Sequence, residues 1–260
     1  MGKGKVILAG AGPGDPELIT VKALRYLQQA DVVITDRLVS DELLAHRRPD
    51  ALLVQAGKQC GKIASVSQAD INEMIVTYAQ EDRLVLRLKG GDVAFFSNVL
   101  DELRTLVKHG IPFEIVPGVT AASGASAYAG IPLTAREHAT SVRLFTFHKA
   151  DAIHDLAWKE LAATDDTLVF YMTTAAIERL TKNLLEHAIS DDKRVAIIEQ
   201  ATTPQQRVRT YTVRELASCY QHEQYTTPAL IIVGKVVQLH EAFQWYTNTD
   251  SGEQYFKNLD

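Results

Sequence analysis

The alternation of short apolar runs with helix-period segments limits the fold of this sequence more than any other feature. The first half contains the apolar runs KVILAGA, DVVIT, ALLVQAG, RLVLRLKGG and PFEIV, and between them stand segments such as VKALRYLQQA, ADINEMIVTYAQ and NVLDELRTLVKHG. This order is typical of βα units, in which helices join parallel strands. The strand candidates are almost continuously apolar, as expected when helices cover both faces of a sheet. The first half therefore predicts an α/β fold with a parallel sheet.

The second half has a different order of elements. Its strand candidates are SVRLFTF, TLVFYM, RVAIIEQ, QRVRTYT and ALIIVG. We predict helices near residues 155–162, 174–188, 213–220 and 235–245. Some neighbouring strand candidates have no helix between them, so part of this sheet should be antiparallel.

A segment of small residues separates the two halves. Residues 119–130 read VTAASGASAYAG, a composition that suits either a closely packed helix or a linker. We predict an N-terminal α/β domain at 1–118, a C-terminal α/β domain at 119–246 and a polar tail at 247–260. The tail is expected to be mobile or to clasp a partner.

Composition and charge exclude several classes of function. With 46% hydrophobic residues in 260, the chain can bury a sizeable core. A net charge of -5 provides no global positive field for nucleic acid or anionic lipid, so local cations must hold any acidic ligand. Cys60 and Cys219 lack metal-ligand spacing and fit a reducing compartment. No apolar run has the length of a signal-peptide core or a membrane span. We expect a cytoplasmic protein that binds neither nucleic acid nor membrane.

A glycine-rich segment, GAGPGDP at residues 10–16, follows the first predicted strand. Glycines there would let the backbone approach a ligand that a Cβ would exclude, and strand ends are where α/β sheets bind ligands. A plain turn and a dinucleotide loop are the alternatives. The dinucleotide alternative is weak because Pro13 and Pro16 lack amide donors and Asp15 breaks the G-x-G-x-x-G spacing. A nicotinamide-dependent dehydrogenase is therefore a remote alternative.

A series of motifs resembles the uroporphyrinogen III C-methyltransferases of the tetrapyrrole methylase family. They are GAGPGDPELIT (10–20), DVVITDRLVS (31–40), AGKQCGK (56–62), RLKGGD (87–92), GIPFEIVPGVTAASGASAYAGIPLT (110–134) and LVFYM (168–172). The resemblance runs in order from about residue 5 to about residue 245. It implies two α/β lobes with a cleft between them that binds S-adenosyl-L-methionine, a homodimer, and no metal. It also implies two methyl transfers to uroporphyrinogen III, through precorrin-1 to precorrin-2, for sirohaem or cobalamin biosynthesis.

The resemblance assigns residues to the two parts of this reaction. Asp36 and Lys58, each after a predicted strand, match the family's proposed catalytic pair, and the methylated ring needs a base and a proton donor. The implied cofactor-binding residues are Pro13, Gly90, Gly91, Asp92, Phe95, Thr120, Ala121, Met172 and Ala201.

The substrate's eight carboxylates require a local basic surface. We expect Arg37 and Arg136 to bind them, with Lys58, Lys62 and Arg143 as further candidates, and His148 to bond a carboxylate or an NH group. His154 lies six residues after His148, a spacing that argues against a metal pair.

Some positions depart from the family pattern. After KGGD, relatives continue P-F-x-F-G-R-G, whereas residues 93–98 here read VAFFSN. Phe147, Thr173 and Ala201 stand where relatives have smaller residues, so we expect added bulk near the cleft. Two alternatives stay open: a methyltransferase of the same superfamily that acts on another precorrin, and a non-catalytic tetrapyrrole-binding protein. The presence of Asp36 and Lys58 argues against the second alternative.

Overall fold

The computed structural model describes residues 4–56, 67–147, 155–248 and 255–256. Lys58, Lys62 and His148 lie outside the described residues. The chain divides into two compact units, the first ending at Ala121 and the second spanning Ala122–Tyr255, while Phe256 groups with the first.

The first unit is built on a parallel sheet. Its strands are β1 (Lys5–Gly10), β2 (Val32–Thr35), β3 (Leu52–Gln55), β4 (Leu84–Lys89) and β5 (Phe113–Val116). Its helices are α1 (Val21–Gln29), α2 (Asp41–Leu44), α3 (Gln68–Gln80) and α4 (Val99–Lys108). The strand order is β3-β2-β4-β1-β5 with parallel pairing throughout, which confirms the predicted parallel sheet.

Helices cover both faces of this sheet. Alternate residues of one strand belong to opposite cores: Ile7 packs with residues of α1, whereas Leu8 packs with residues of α3 and α4. The continuous apolar runs follow from this burial on two sides. Local caps fix where helices begin, since the Thr20 hydroxyl accepts the Ala23 amide at the start of α1. Because all five strands run parallel, their carboxyl ends meet at one edge of the sheet.

The second unit carries a mixed sheet. Its strands are β6 (Val142–Thr146), β7 (Thr167–Tyr171), β8 (Arg194–Glu199), β9 (Arg207–Thr212) and β10 (Ala229–Gly234). Its helices are α5 (Ala121–Ala129), α6 (Asp155–Ala163), α7 (Ile177–Glu186), α8 (Val213–Cys219) and α9 (His240–Phe243). In the order β6-β7-β10-β8-β9, β6 and β7 are parallel and the other pairs antiparallel, which confirms the predicted antiparallel pairing.

Helix formation in the second unit differs in detail from the prediction. The small-residue segment forms α5 and is not a linker over residues 121–129. The helices predicted near 174–188 and 235–245 both begin as 3-10 turns, at Thr174–Ala176 and Lys235–Leu239. Short 3-10 turns are common at helix ends, and apolar periodicity alone does not separate the two helix types.

Phe147, for which added bulk near the cleft is expected from the sequence, is a core residue of the second unit. Its side chain is 1% exposed and packs edge-on against Trp158, with ring centroids 5.3 Å apart. The guanidinium of Arg179 lies 4.3 Å from the centroid of the Phe147 ring on another side. The bulk that replaces a smaller residue here fills the interior of the second unit.

Thr173 is also fully buried, and its hydroxyl donates to the Tyr171 carbonyl.

Among the described residues, no helix is long and apolar enough to cross a membrane.

Candidate functional site

Two loops at the carboxyl edge of the first sheet are hydrogen-bonded to each other. The Gly12 amide donates to the Gly91 carbonyl at 3.1 Å, and the Gly91 amide donates back to the Gly12 carbonyl at 2.7 Å. The Ala11 amide also donates to the Lys89 carbonyl at 2.8 Å. The GAGPGDP segment and the RLKGGD motif therefore form one continuous backbone surface.

Three glycines make this surface possible. A Cβ on Gly10 would lie 2.5 Å from the Gly91 carbonyl oxygen and 2.7 Å from the Gly118 Cα, and a Cβ on Gly118 would meet the same carbonyl oxygen. Gly91 itself has φ +70°, a conformation that favours glycine. Three chain segments thus approach each other at positions where no side chain intervenes.

Asp92 connects two of these segments. Its side chain is almost fully buried, and one carboxylate oxygen accepts the Gly118 amide at 2.6 Å while the other accepts the Ala94 amide at 2.7 Å. Charge-assisted bonds of this kind are among the stronger hydrogen bonds in proteins. Asp92 therefore holds the loop that follows β4 against the loop that follows β5.

Asp36 plays the same part between the loops after β2 and β4. Its Oδ1 accepts the Leu38 amide at 3.0 Å and its Oδ2 accepts the Gly90 amide at 3.2 Å. The side chain is half-buried. Each carboxylate oxygen can accept a further hydrogen bond, so this arrangement orients the group and leaves it able to accept a proton.

Other predicted cofactor residues of the first unit lie on these same loops. Pro13 follows β1, Phe95 follows Asp92, and Thr120 and Ala121 follow Gly118. Pro13, Thr120 and Ala121 are half-buried, whereas the Phe95 side chain is 43% exposed. The fold brings these residues to the same edge of the sheet as Asp36 and Asp92.

The predicted cofactor residues of the second unit follow its strands β7 and β8. Met172 comes directly after β7, has φ +55° and is 54% exposed. Ala201 lies between Gln200 and Thr202, whose φ angles are +45° and +67°. Non-glycine residues in this conformation are uncommon and gather at functional sites. No residue type in the sequence signals this backbone conformation, so sequence reasoning missed it.

The basic residues proposed for substrate carboxylates divide into two groups. Arg136 is exposed and Arg37 is half-buried. Arg143 instead pairs with Glu160 at 2.6 Å and with Asp166 at 2.5 Å, and hydrogen bonds to these carboxylates raise the pKa of its guanidinium. Arg143, a further candidate for binding substrate carboxylates, therefore already has two carboxylate partners within the second unit.

A buried ion cluster beneath the first unit's loops was missed by sequence reasoning. The Glu102 carboxylate of α4 accepts a hydrogen bond from the Arg87 Nε at 3.1 Å. It also accepts two from the Lys89 Nζ, at 3.0 and 3.1 Å. Glu102 is 1% exposed, and Arg87 and Lys89 are each 4% exposed. Burial lowers the pKa of the Lys89 amine. The available signal was the pattern R-L-K in an otherwise apolar strand, which places two cations on one face.

Metal ligands are not grouped in the part of the chain that the structure describes. Within it, no cluster of three or more His, Cys, Asp or Glu side chains is arranged to hold an ion.

Comparison with known proteins identifies a family match over most of the chain. Residues 5–217 match the family described as Tetrapyrrole (Corrin/Porphyrin) Methylases. The siroheme synthase of Vesicomyosocius okutanii is 48% identical over 243 residues, which cover 94% of this chain and 52% of that protein. The siroheme synthase of Azotobacter vinelandii is 47% identical over 250 residues, covering 96% and 54%. The chain thus spans about half the length of these curated relatives.

Solved structures match the chain over nearly their whole length. A uroporphyrin-III C-methyltransferase from Thermus thermophilus is 37% identical with a TM-score of 0.77, covering 96% of this chain and 99% of that one. A structure of the Thermus enzyme in complex with S-adenyl homocysteine is 34% identical with a TM-score of 0.76, covering 91% and 94%. A cobalt precorrin-4 methyltransferase is 29% identical with a TM-score of 0.79, covering 90% and 95%.

Proposed function

The chain belongs to the tetrapyrrole methylase family, and we propose that it is a C-methyltransferase that converts uroporphyrinogen III to precorrin-2 through precorrin-1. The methyl donor is S-adenosyl-L-methionine, and the product would supply sirohaem or cobalamin biosynthesis. The observation that carries the proposal is the near full-length likeness to uroporphyrin-III C-methyltransferase at 37% identity. The siroheme synthases add support through 47–48% identity over almost all of this chain.

The first unit has the features that a methyl donor of this kind requires. Gly10 and Gly118 let the loops after β1, β4 and β5 pack closely, because a Cβ on either would overlap the Gly91 carbonyl oxygen. These packed loops are the surface to which we assign the cofactor. We assign cofactor binding to Pro13, Gly90, Gly91, Asp92, Phe95, Thr120 and Ala121 here, and to Met172 and Ala201 in the second unit. When bound, S-adenosylmethionine supplies an electrophilic methyl group on a sulfonium sulfur.

The protein's contribution to the transfer is mainly positioning. A nucleophilic ring carbon must be held in line with the methyl group, and correct alignment can supply much of the rate acceleration. The Asp36 carboxylate, oriented by the Leu38 and Gly90 amides, is assigned to accept the proton that the ring loses after methylation. Lys58, which lies outside the described residues, is assigned as the proton donor.

Substrate carboxylates require cationic side chains. We assign this role to Arg37 and Arg136, with His148, outside the described residues, as a further hydrogen-bonding partner. Arg143 is left out because Glu160 and Asp166 already neutralise it. The enzyme is proposed to act in the cytoplasm as a homodimer, and light scattering of the purified protein would measure its oligomeric state.

One observation favours a different tetrapyrrole as the substrate. After Asp92 this chain has VAFFSN in place of the family's P-F-x-F-G-R, and the Phe95 and Phe96 side chains are each 43% exposed. Two residues of this segment, Phe96 and Asn98, have positive φ. A loop with a different shape and without the arginine would present a different surface to the macrocycle. The second candidate is therefore a methyltransferase that acts on another precorrin.

Methyl-group counting distinguishes these substrates. The protein is incubated without oxygen with uroporphyrinogen III and methyl-labelled S-adenosylmethionine, and the product masses are recorded. We expect two added methyl groups, with strongly reduced transfer in Asp36→Ala and Lys58→Ala. Arg143→Gln is the matched control, because this cation is paired with Glu160 and Asp166 and its variant should retain transfer.

Two results would overturn the proposal. If wild type binds S-adenosylhomocysteine but transfers no label to uroporphyrinogen III, the substrate is wrong, and label on a supplied precorrin would establish the second candidate. If neither substrate accepts label, methyl transfer to these tetrapyrroles is excluded and the carrier alternative gains support.

A further inference from the structure

Two buried cations lie near the carboxyl end of β4, just before the loop that begins with Gly90 and Gly91. Arg87 and Lys89 are two residues apart on β4, the central strand of the sheet, so both side chains extend from the same face. Glu102, in the first turn of α4, faces these two cations and accepts hydrogen bonds from Arg87 and Lys89. This cluster stands where the rest of the face is apolar.

The charges in this cluster do not cancel. One carboxylate, Glu102, faces two cations, and all three side chains are at most 4% exposed. Removing charges from water is costly, and buried ion groups can often be replaced by apolar side chains without loss of stability. A purely stabilising role therefore explains the cluster poorly.

The cluster is attached to the two backbone segments that hold Asp36. Lys89 directly precedes Gly90, whose amide donates to Asp36 at 3.2 Å. Arg87 donates to the carbonyl of Ile34 at 3.4 Å, two residues before Asp36. Burial lowers the pKa of Lys89, while the carboxylates of Glu102 and Asp36 oppose that shift.

We propose that Lys89, held by Glu102, is a positioning residue for Asp36. It fixes the start of the Gly90 loop, whose amide orients the Asp36 carboxylate. The inference rests on the proposed function to the extent that methyl transfer is its readout. Lys89 has no contact with the reacting atoms in this account and acts only through Asp36.

A double-mutant cycle tests this dependence. Lys89→Met, Asp36→Asn and the double variant are compared with wild type for kcat/KM of methyl transfer to uroporphyrinogen III. We expect Lys89→Met to lower kcat/KM about tenfold in the wild-type background and by less than about threefold in the Asp36→Asn background, a coupling typical of residues in one network.

Lys193 provides the matched control. It is the other lysine buried to this degree in the described residues, at 5% exposed, and burial lowers its pKa. Its amine donates to backbone carbonyls of Ala162 and Thr164, at 2.8 and 2.6 Å in the second unit. Lys193→Met removes a buried cation without touching Asp36, so its effect on kcat/KM should be the same factor in both backgrounds.

The proposal is overturned if the effects of Lys89→Met and Asp36→Asn multiply, or if folded Lys89→Met is as active as wild type. Circular dichroism establishes folding, and Glu102→Gln replaces Lys89→Met in the cycle if the latter does not fold. The same cycles are measured on unfolding in urea, a readout that does not depend on activity. Coupling there between Lys89 and Asp36, with none between Lys193 and Asp36, supports the proposal even if wild type proves inactive on uroporphyrinogen III; its absence refutes it.

Discussion

Substituting alanine for Gly10 should damage catalysis far more than it damages the fold. Gly10 ends β1 at the carboxyl edge of the sheet, and its φ is negative or extended, so alanine is conformationally allowed there. The only obstacle to alanine at this position is the lack of space for its Cβ. The new Cβ would lie 2.5 Å from the Gly91 carbonyl oxygen, with the Gly118 Cα at 2.7 Å and its amide nitrogen at 2.8 Å. All of these neighbours are backbone atoms, so a rotamer change cannot relieve the overlap.

The size of the overlap sets the size of the effect. Ordinary van der Waals contact begins at 3.4 Å, so the loops after β4 and β5 must retreat by about 0.9 Å. A misplacement of about 1 Å in a catalytic site can cost about 100-fold in rate. Crowding of this kind in a packed region typically costs about 1–3 kcal/mol of stability. We therefore expect methyl transfer to fall about 100-fold in a protein that still folds.

Gly4, just before the other end of β1, is the control. A Cβ on Gly4 would meet the Ala79 carbonyl and the Arg83 backbone, also without positive φ, but at the amino end of the strand. Gly4→Ala should lose about as much stability as Gly10→Ala, again about 1–3 kcal/mol, yet keep its kcat/KM. The assay combines initial rates of labelled methyl transfer with guanidinium unfolding of both variants. If Gly10→Ala retained more than about a tenth of wild-type kcat/KM, the close approach of the three loops would be irrelevant to catalysis.

Further perturbations test the account elsewhere in the chain. Ala188→Gly should raise the free energy of unfolding, measured in urea, by about 0.5–1 kcal/mol. Exposed Ala188 has φ +56°, a left-handed strain of about 1–2 kcal/mol that glycine removes at a smaller cost in the conformational entropy of the unfolded chain. An unchanged or lower urea midpoint contradicts this prediction. Lys22, Lys5 and Tyr26 lower the pKa of Glu114 from 4.5 to about 2, so its contribution to stability is complete above pH 4.5 and is lost as the pH falls towards 2. Glu114→Gln should therefore flatten the acid limb of stability against pH, and an identical limb would exclude this carboxylate as a contributor. Arg136→Gln should raise KM for the tetrapyrrole at least about tenfold, the value of a hydrogen bond between charged groups, whereas Arg143→Gln should leave KM unchanged; equal effects on KM would refute the different roles given to Arg136 and Arg143.

The predicted architecture depended on patterns that are local in sequence. Continuous apolar runs separated by helix-period segments predicted the parallel sheet of the first unit, because burial of strands on two faces leaves no polar alternation. Neighbouring strands without a helix between them predicted antiparallel pairing in the second unit, since a parallel connection needs a long crossover. These inferences needed only the spacing of residue types, and the structure agrees with them.

The candidate site was predicted in part. The position of Asp36, Gly90 and Asp92 after strands placed them at one edge, where the structure brings their loops together through backbone hydrogen bonds. The hydrogen-bond partners of each carboxylate could not be predicted. The Gly118 amide, for example, donates to Asp92 from 26 residues away in the sequence. Lys58 and His148 lie outside the described residues, so their roles stay predictions.

The sequence by itself determined the order of strands and helices, the place of the glycine-rich loops and the chemistry of the residues on them. Tertiary structure alone decided which side chains share a core and which charges are paired. It placed Phe147 in the interior, neutralised Arg143 with two carboxylates, and set Glu102 against Arg87 and Lys89. The physical reason is that a residue type and its spacing specify local backbone preference and facing, whereas burial and ion pairing depend on contacts between segments distant along the chain.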